Sequence, residues 1–286
     1  MASASPLQAV EGGGRLPGFG NLLRRENAAW WRTWTGWIQS VLWLVVLNGL
    51  LAVTLRSPIQ RAGSAPPSAP APGSVPTFQE IMGNNVTAGM FLFLIIAGIA
   101  VPIAAIVLGQ DAIIGEKQSG TAAWVLSKPV SRPAFILAKV CGHALGFLVA
   151  FGLVQGAVAY VQISEASGAP PLNFGFAGAM GLLYLNVLFY LTLTLMLGTL
   201  FRGRGPVLGI TLTLLLGYKL FAGMAPGLAI ITPWAMVMDV IPGQLPLTVA
   251  LALGFPLPTA TPVIATLVWC TAFVAVAIWR FRREEL

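Results

Sequence analysis

Apolar and polar positions fall along this chain in long blocks, without the short period of a soluble helix or strand. Apolar runs at 38–55, 88–108, 135–161, 177–200, 207–224 and 262–279 are each close to the ~20 residues that an α-helix needs to cross a bilayer. They predict six transmembrane helices. Residues 225–260 are also apolar, but Pro226, Pro233, Pro242, Pro246, Pro256 and Pro258 cut them into pieces. The longest uncut piece, 247–255, is too short for a ~30 Å hydrocarbon core, so re-entrant structure is expected before the last span. The fold class that follows is an all-α polytopic membrane protein: six transmembrane helices, an N-terminal interfacial amphipathic helix, and re-entrant segments ahead of the last span.

The polar blocks differ from one another. Residues 1–18 are small and Gly-rich, with no apolar core of a cleavable leader, and are expected to be disordered. Over 19–37 a helical wheel puts Leu23, Trp30, Trp34 and Trp37 on one side and Arg24, Arg25 and Arg32 on the other. This reads as a helix in the membrane plane, its indoles at headgroup depth and its guanidinium groups toward phosphate and water. Residues 56–76 are rich in Pro, Ala and Ser and are expected to form an exposed irregular loop. Residues 281–286 make a short tail.

The block at 110–133 is of another kind. With Lys139 just beyond it, it carries Asp111, Glu116, Lys117, Lys128 and Arg132, six of the chain's 25 acidic and basic residues. A helix-like piece through Glu116, a break at Gly120-Thr121, a second piece holding Trp124 and a stop at Lys128-Pro129 follow in order. Ser131 then offers an N-cap, with Pro133 tolerated in the first turn of the third span. Such a shaped surface suits docking better than mere connection. The third span also carries Gly142/Gly146 and Gly152/Gly156, spacings that let another helix approach closely.

Composition fits this picture: 57% hydrophobic residues, 9% charged and a mean hydropathy of +0.83. Of 16 Lys and Arg, 13 fall on one side of a six-span topology, which places both termini and the polar block in the cytoplasm, with the chain multi-pass in the inner membrane. The net charge of +7 is explained by topology, without nucleic acid. There is no GxxxxGK[ST] phosphate loop, no HExxH and no CxxC pair. Cys141 and His143 share one span, but a single His in the chain offers no ligand set, so no metal is expected. Within the spans, Lys219, Asn186 and Tyr190 are candidates to line a translocation path.

The order Glu116, Gly120-Thr121, Trp124-Val125-Leu126, Ser127-Lys128-Pro129-Val130-Ser131-Arg132 and Lys139 resembles ABC-2-type transporter permeases. The nearest likeness is to the six-span branch that includes permeases of multidrug, antibiotic and copper-enzyme-maturation ABC transporters. The resemblance implies a transport subunit, not itself an enzyme, whose 110–133 loop docks on a separate ATPase subunit that holds ATP and Mg. On that reading Asp111, Glu116 and Lys117 face the ATPase and Gly120 and Thr121 allow the turn. Lys128, Pro129, Ser131 and Arg132 set the entry of the third span. A second permease chain, identical or homologous, completes the working unit, and export is the implied direction. The 56–76 loop is not part of that pattern. A secondary transporter, or an assembly subunit that moves no substrate, is the alternative reading.

Overall fold

The computed structural model describes residues 16–57, 78–168, 173–241 and 243–283; most of the 56–76 loop, residues 1–15 and the last three residues lie outside them. The described residues form helices and turns with no strand. Five helices are long and apolar enough to cross a membrane: Gly36–Arg56, Asn85–Gln118, Arg132–Ser167, Phe174–Leu200 and Thr261–Arg282. A bent pair, Arg204–Leu216 and Tyr218–Met224, makes a sixth if counted as one span. The chain is an all-α multi-pass membrane protein.

Two boundaries differ from the sequence expectation. The amphipathic helix does not run to residue 37; it covers Phe19–Arg32 and stops at Thr33, whose backbone is extended (φ −92°, ψ 161°). One helical wheel therefore cannot describe both halves, and Trp34 and Trp37 belong to the next helix, Trp34–Trp43, which leads into the first span. The expected fifth span of 207–224 bends by 68° at Gly217. Its straight limb, Arg204–Leu216, has 13 residues, about 20 Å of helix, short of a hydrocarbon core. Lys219 lies beyond the bend and is exposed.

The fourth span is the central post, packed against the second and the last. Its contact with the second span solves a backbone problem. Pro102 sits inside helix Asn85–Gly109 and has no N–H to offer the carbonyl of Gly98 four residues earlier. Asn186 on the fourth span is fully buried, and its side-chain Nδ2 donates to that Gly98 oxygen at 2.9 Å. A neighbouring helix thus supplies the bond that the proline removed.

The first and third spans are joined by amides. Asn48 Nδ2 donates to Gln155 Oε1 at 2.8 Å, and Gln155 Nε2 donates to the carbonyls of Ser40 and Ala150 at 3.0 and 3.1 Å. Both helices widen into a π-type turn beside this clamp, at Leu44–Asn48 and Leu148–Leu153. Such turns gather at sites of strain or function.

The proline-cut region forms three short helices, Pro226–Ile231, Trp234–Val237 and Leu247–Ala252, none long enough to span. They fold back onto the bundle. Trp234 is buried and its Nε1 donates to the Tyr190 hydroxyl at 3.2 Å. Val237 rests where a Cβ on Gly98 would come within 2.9 Å, and Leu251 where one on Gly178 would come within 2.5 Å. The last span begins at Thr261, where Thr259 Oγ1 accepts from the Thr261 N–H at 3.2 Å.

Asn186→Leu is expected to strand the Gly98 carbonyl in an apolar interior and lower stability by about 1–3 kcal/mol. Adding Pro102→Ala restores a main-chain donor and should recover most of that loss. Thermal unfolding of the four variants in detergent gives the cycle; an equal loss in the single and double variants would refute this role for Asn186.

Candidate functional site

The polar residues of 110–139 are not a solvated connector. The second span carries on past Gln110 as Asp111–Gln118, which places Glu116 beside the start of the third span. Lys139, 3% exposed, lies between two carboxylates: Nζ is 2.9 Å from Glu116 Oε1 and 3.1 Å from Glu26 Oε1. Glu26 comes from the N-terminal helix. That helix reaches the third span because Gly142 and Gly146 make room for it. A Cβ on Gly142 would lie 2.6 Å from Glu26 Cβ, and one on Gly146 would lie 2.3 Å from the Trp30 indole. Glu26 and Trp30, four apart, thus sit on two glycines four apart. Trp30 is consequently buried against His143 and Phe147, not turned to lipid with Trp34 and Trp37 as the wheel implied.

Two other cations of the block, Lys117 and Arg132, cap helix ends. Lys117 Nζ donates to the carbonyls of Gly198 and Thr199 at 3.3 and 3.1 Å, at the end of the fourth span. Gln118 Nε2 donates to Arg202 O at 3.1 Å. Arg132 Nη1 donates to Phe281 O and Arg282 O at 3.1 and 2.9 Å, where the last span ends. Phe135 stacks on Phe281 at the same place, with centroids 5.1 Å apart. Cations at helix C-termini meet unpaired carbonyls and the negative end of the helix dipole. Asp111 pairs with Arg204 at 2.6 Å, both about half exposed. A pair this wet contributes little, but it points the block at the start of the fifth span.

Ser131 caps the third span as its position suggests, accepting from the Ala134 N–H at 3.3 Å. Its own N–H donates to Pro17 O at 3.2 Å, so the approach to the N-terminal helix is held as well. Gly120 makes the turn between the two short helices with φ +72° and nothing near its missing Cβ, a conformation that costs an L-residue roughly 1–2 kcal/mol. Helix Thr121–Leu126 then buries Ala122 and Val125 and leaves Trp124 60% exposed. Lys128 Nζ lies 4.4 Å from the Trp124 ring centroid.

The nine block residues singled out from sequence therefore divide in two. Glu116, Lys117, Ser131 and Arg132 bind within the chain, and Asp111 pairs with Arg204 at the surface. Gly120, Thr121, Lys128 and Pro129 lie on the outer rim with Trp124. Glu26 and Lys139 form the centre of the cluster. Glu26 was missed, although it is the single acid in a helix of arginines and tryptophans and shares the spacing of Gly142/Gly146. The three candidate path residues are not brought together: Asn186 and Tyr190 are packed in the interior, and Lys219 is exposed past the bend. Among the described residues no group of His, Cys, Asp and Glu could hold a metal.

Lys139→Met leaves two carboxylates partly buried without their cation and is expected to lower stability by about 3–5 kcal/mol. The neutral triple variant Glu26→Gln/Glu116→Gln/Lys139→Met should be more stable than Lys139→Met alone. Melting curves in detergent decide it, and a triple variant as weak as the single one would remove the ion cluster as the cause.

Residues 21–286 match the family model described as ABC-2 family transporter protein. Two curated relatives, each described as "Probable ABC transporter permease protein NosY", are similar over part of the chain. The protein from Stutzerimonas stutzeri is 31% identical over 114 residues, 38% of this chain and 39% of the relative. The one from Pseudomonas aeruginosa is 30% identical over 136 residues, 46% of each chain. The matched stretch thus spans less than half the length of either relative. With the family model covering nearly all of the sequence, this chain belongs to the ABC-2 family of transporter proteins.

Proposed function

We propose that this chain is the membrane-spanning permease subunit of an ATP-binding cassette exporter, and that the outer rim of the 110–133 block is where a separate ATPase subunit docks. The observation that carries the reading is the division of the block. Its inward groups grip the second, third, fourth and last spans and the N-terminal helix, while Gly120, Trp124, Lys128 and Pro129 are exposed, with the half-buried Thr121 beside them bonded to Ser119. Exposed Trp beside a cation is a frequent anchor at protein interfaces. A body pressing on that rim would act on four spans at once through Lys117, Arg132 and Lys139.

The description of both relatives as ABC transporter permeases supports this reading. ATP and Mg would be held by the partner ATPase, which carries out hydrolysis, and a second permease chain would complete the unit. The basic residues favour the inner membrane with the block and the segments outside the first and last spans in the cytoplasm. Of the residues considered for a path, Lys219 is the exposed one, and it is assigned there as a cation that draws anionic groups of a substrate. The substrate itself is left unassigned.

The test is purification of the tagged full chain in mild detergent, with mass spectrometry of the proteins that stay bound. An ATPase subunit should accompany the wild type and be lost from Trp124→Asp/Lys128→Glu, whose melting curve stays near that of the wild type. Glu116→Arg is a poor probe, because it breaks the Lys139 pair inside the chain. Intact chain with no ATPase, under conditions that preserve other such complexes, overturns the assignment. Undiminished ATPase on the double variant overturns the placement of the docking rim.

A further inference from the structure

The break between the N-terminal helix and the first span has a chemistry of its own. The Thr33 hydroxyl donates to Ala29 O, the backbone turns to an extended conformation, and the chain re-enters a helix at Trp34. Gly36 lets this corner close, since a Cβ there would lie 2.6 Å from Trp30 O and 3.1 Å from the Trp31 ring. Trp31 then stands edge-on to Trp37, with centroids 6.1 Å apart. The corner encloses a cleft of about 450 Å3 lined by Trp31, Arg32, Thr33, Trp34 and Trp37.

Apart from the Thr33 hydroxyl, the polar side chains of this cleft, Trp31, Arg32, Trp34 and Trp37, carry only donors. Trp31 Nε1 is occupied by Asn27 Oδ1 at 3.3 Å. The indole N–H groups of Trp34 and Trp37 and the Arg32 guanidinium have no partner among the described residues. Trp34 and Trp37 are 77% and 57% exposed. Glu26, the acid of this helix, is engaged by Lys139, and Arg32 is the charged residue of the lining. The cleft is therefore a pocket of positive sign. Below it the first span presents Ile38, Val41, Leu42 and Val45, all exposed apolar side chains. A ligand that satisfies both parts carries a compact anion at one end and hydrocarbon at the other. A headgroup that adds its own cation gains less beside Arg32, where the lining holds no acid.

We propose that the cleft at Thr33 binds an anionic phospholipid. Its phosphate lies on Arg32 and the indole N–H groups of Trp34 and Trp37, and its acyl chains run along Ile38, Val41 and Val45. Guanidinium–phosphate bonding and indoles at headgroup depth are the expected recognition. This deepens the interfacial-anchor reading of the N-terminal helix. It needs that helix at the membrane surface and does not depend on ATPase docking.

The test is native mass spectrometry of the purified full chain titrated with phosphatidylglycerol or phosphatidylcholine. The wild type should retain phosphatidylglycerol about tenfold more strongly, the weight of one charge-assisted hydrogen bond. Arg32→Gln should remove most of that preference, and Arg32→Gln/Trp34→Phe/Trp37→Phe all of it. Arg280→Gln/Arg283→Gln, at the far end of the chain, should keep it. Equal retention of the two lipids by the wild type overturns the site, as does a preference that survives Arg32→Gln. A preference lost on Arg280→Gln/Arg283→Gln instead would place the lipid elsewhere. Should the triple variant fail to fold, the single Arg32→Gln comparison decides alone.

Discussion

One ammonium group between two carboxylates holds together the end of the bundle that carries the polar block. Lys139 is almost fully buried, and removing an ion from water costs several kcal/mol unless partners replace that water. Here the partners come from two other elements, Glu26 on the N-terminal helix and Glu116 on the extended second span. The ion pairs therefore do what apolar contact in a membrane cannot. Lipid and leucine are alike to a helix, so apolar packing alone defines register weakly. A buried cation that must meet both acids, with Gly142 and Gly146 opposite Glu26 and Trp30, admits one arrangement of the three elements.

The same constraint, that polar groups in hydrocarbon must find partners inside the protein, explains the interior. Pro102 frees the Gly98 carbonyl and Asn186 takes it up. Asn48 and Gln155 close on each other beside two widened helical turns. Tyr190 receives the Trp234 indole and so fastens a helix too short to span. At the helix ends Lys117 and Arg132 take the open carbonyls of the fourth and last spans. Each of these side chains reads from sequence as a candidate for ligand or partner contact, or as unremarkable. Their roles come from backbone groups that no sequence pattern displays.

This separates what could be read from the chain from what could not. The apolar blocks, the spans and the proline-cut region follow from length and composition, because a bilayer sets both. The Gly142/Gly146 spacing pointed to a close helix, yet its partner was ambiguous until Glu26 and Trp30 were seen on it. The wheel over 19–37 failed for a local reason. Thr33 bonds back to Ala29 and turns the chain, so Trp30 and Trp34 lie on different helices despite their four-residue spacing. The fifth span is bent, not straight, for a comparable local reason at Gly217, where a Cβ would come within 2.6 Å of Thr213 O. Within the block, acidity alone could not separate Glu116, which faces in, from a carboxylate that faces a partner.

The inward orientation of those charges has a mechanical consequence for the proposed coupling. A docking loop held only by its two flanking spans would pass a displacement to those spans and absorb the rest in its own bending. Here three separate side chains carry the block's position to carbonyls and carboxylates on other elements, and each attachment is to a helix end or a buried pair. On that proposal, a push on Trp124 would reach the ends of the fourth and last spans through Lys117 and Arg132. The amide clamp of Asn48 and Gln155 joins the first span to the third, and Glu26 joins the N-terminal helix to the third span as well. Between that group and the second, fourth and last spans run the Lys139–Glu116 pair, the Arg132 caps, the bond from Asn85 Nδ2 to Ser57 O at 2.9 Å and the bond from the Tyr184 hydroxyl to Ala144 O at 2.8 Å. On the proposed docking, closure of a partner would bear on the boundary between these two groups of helices, where the ion cluster lies.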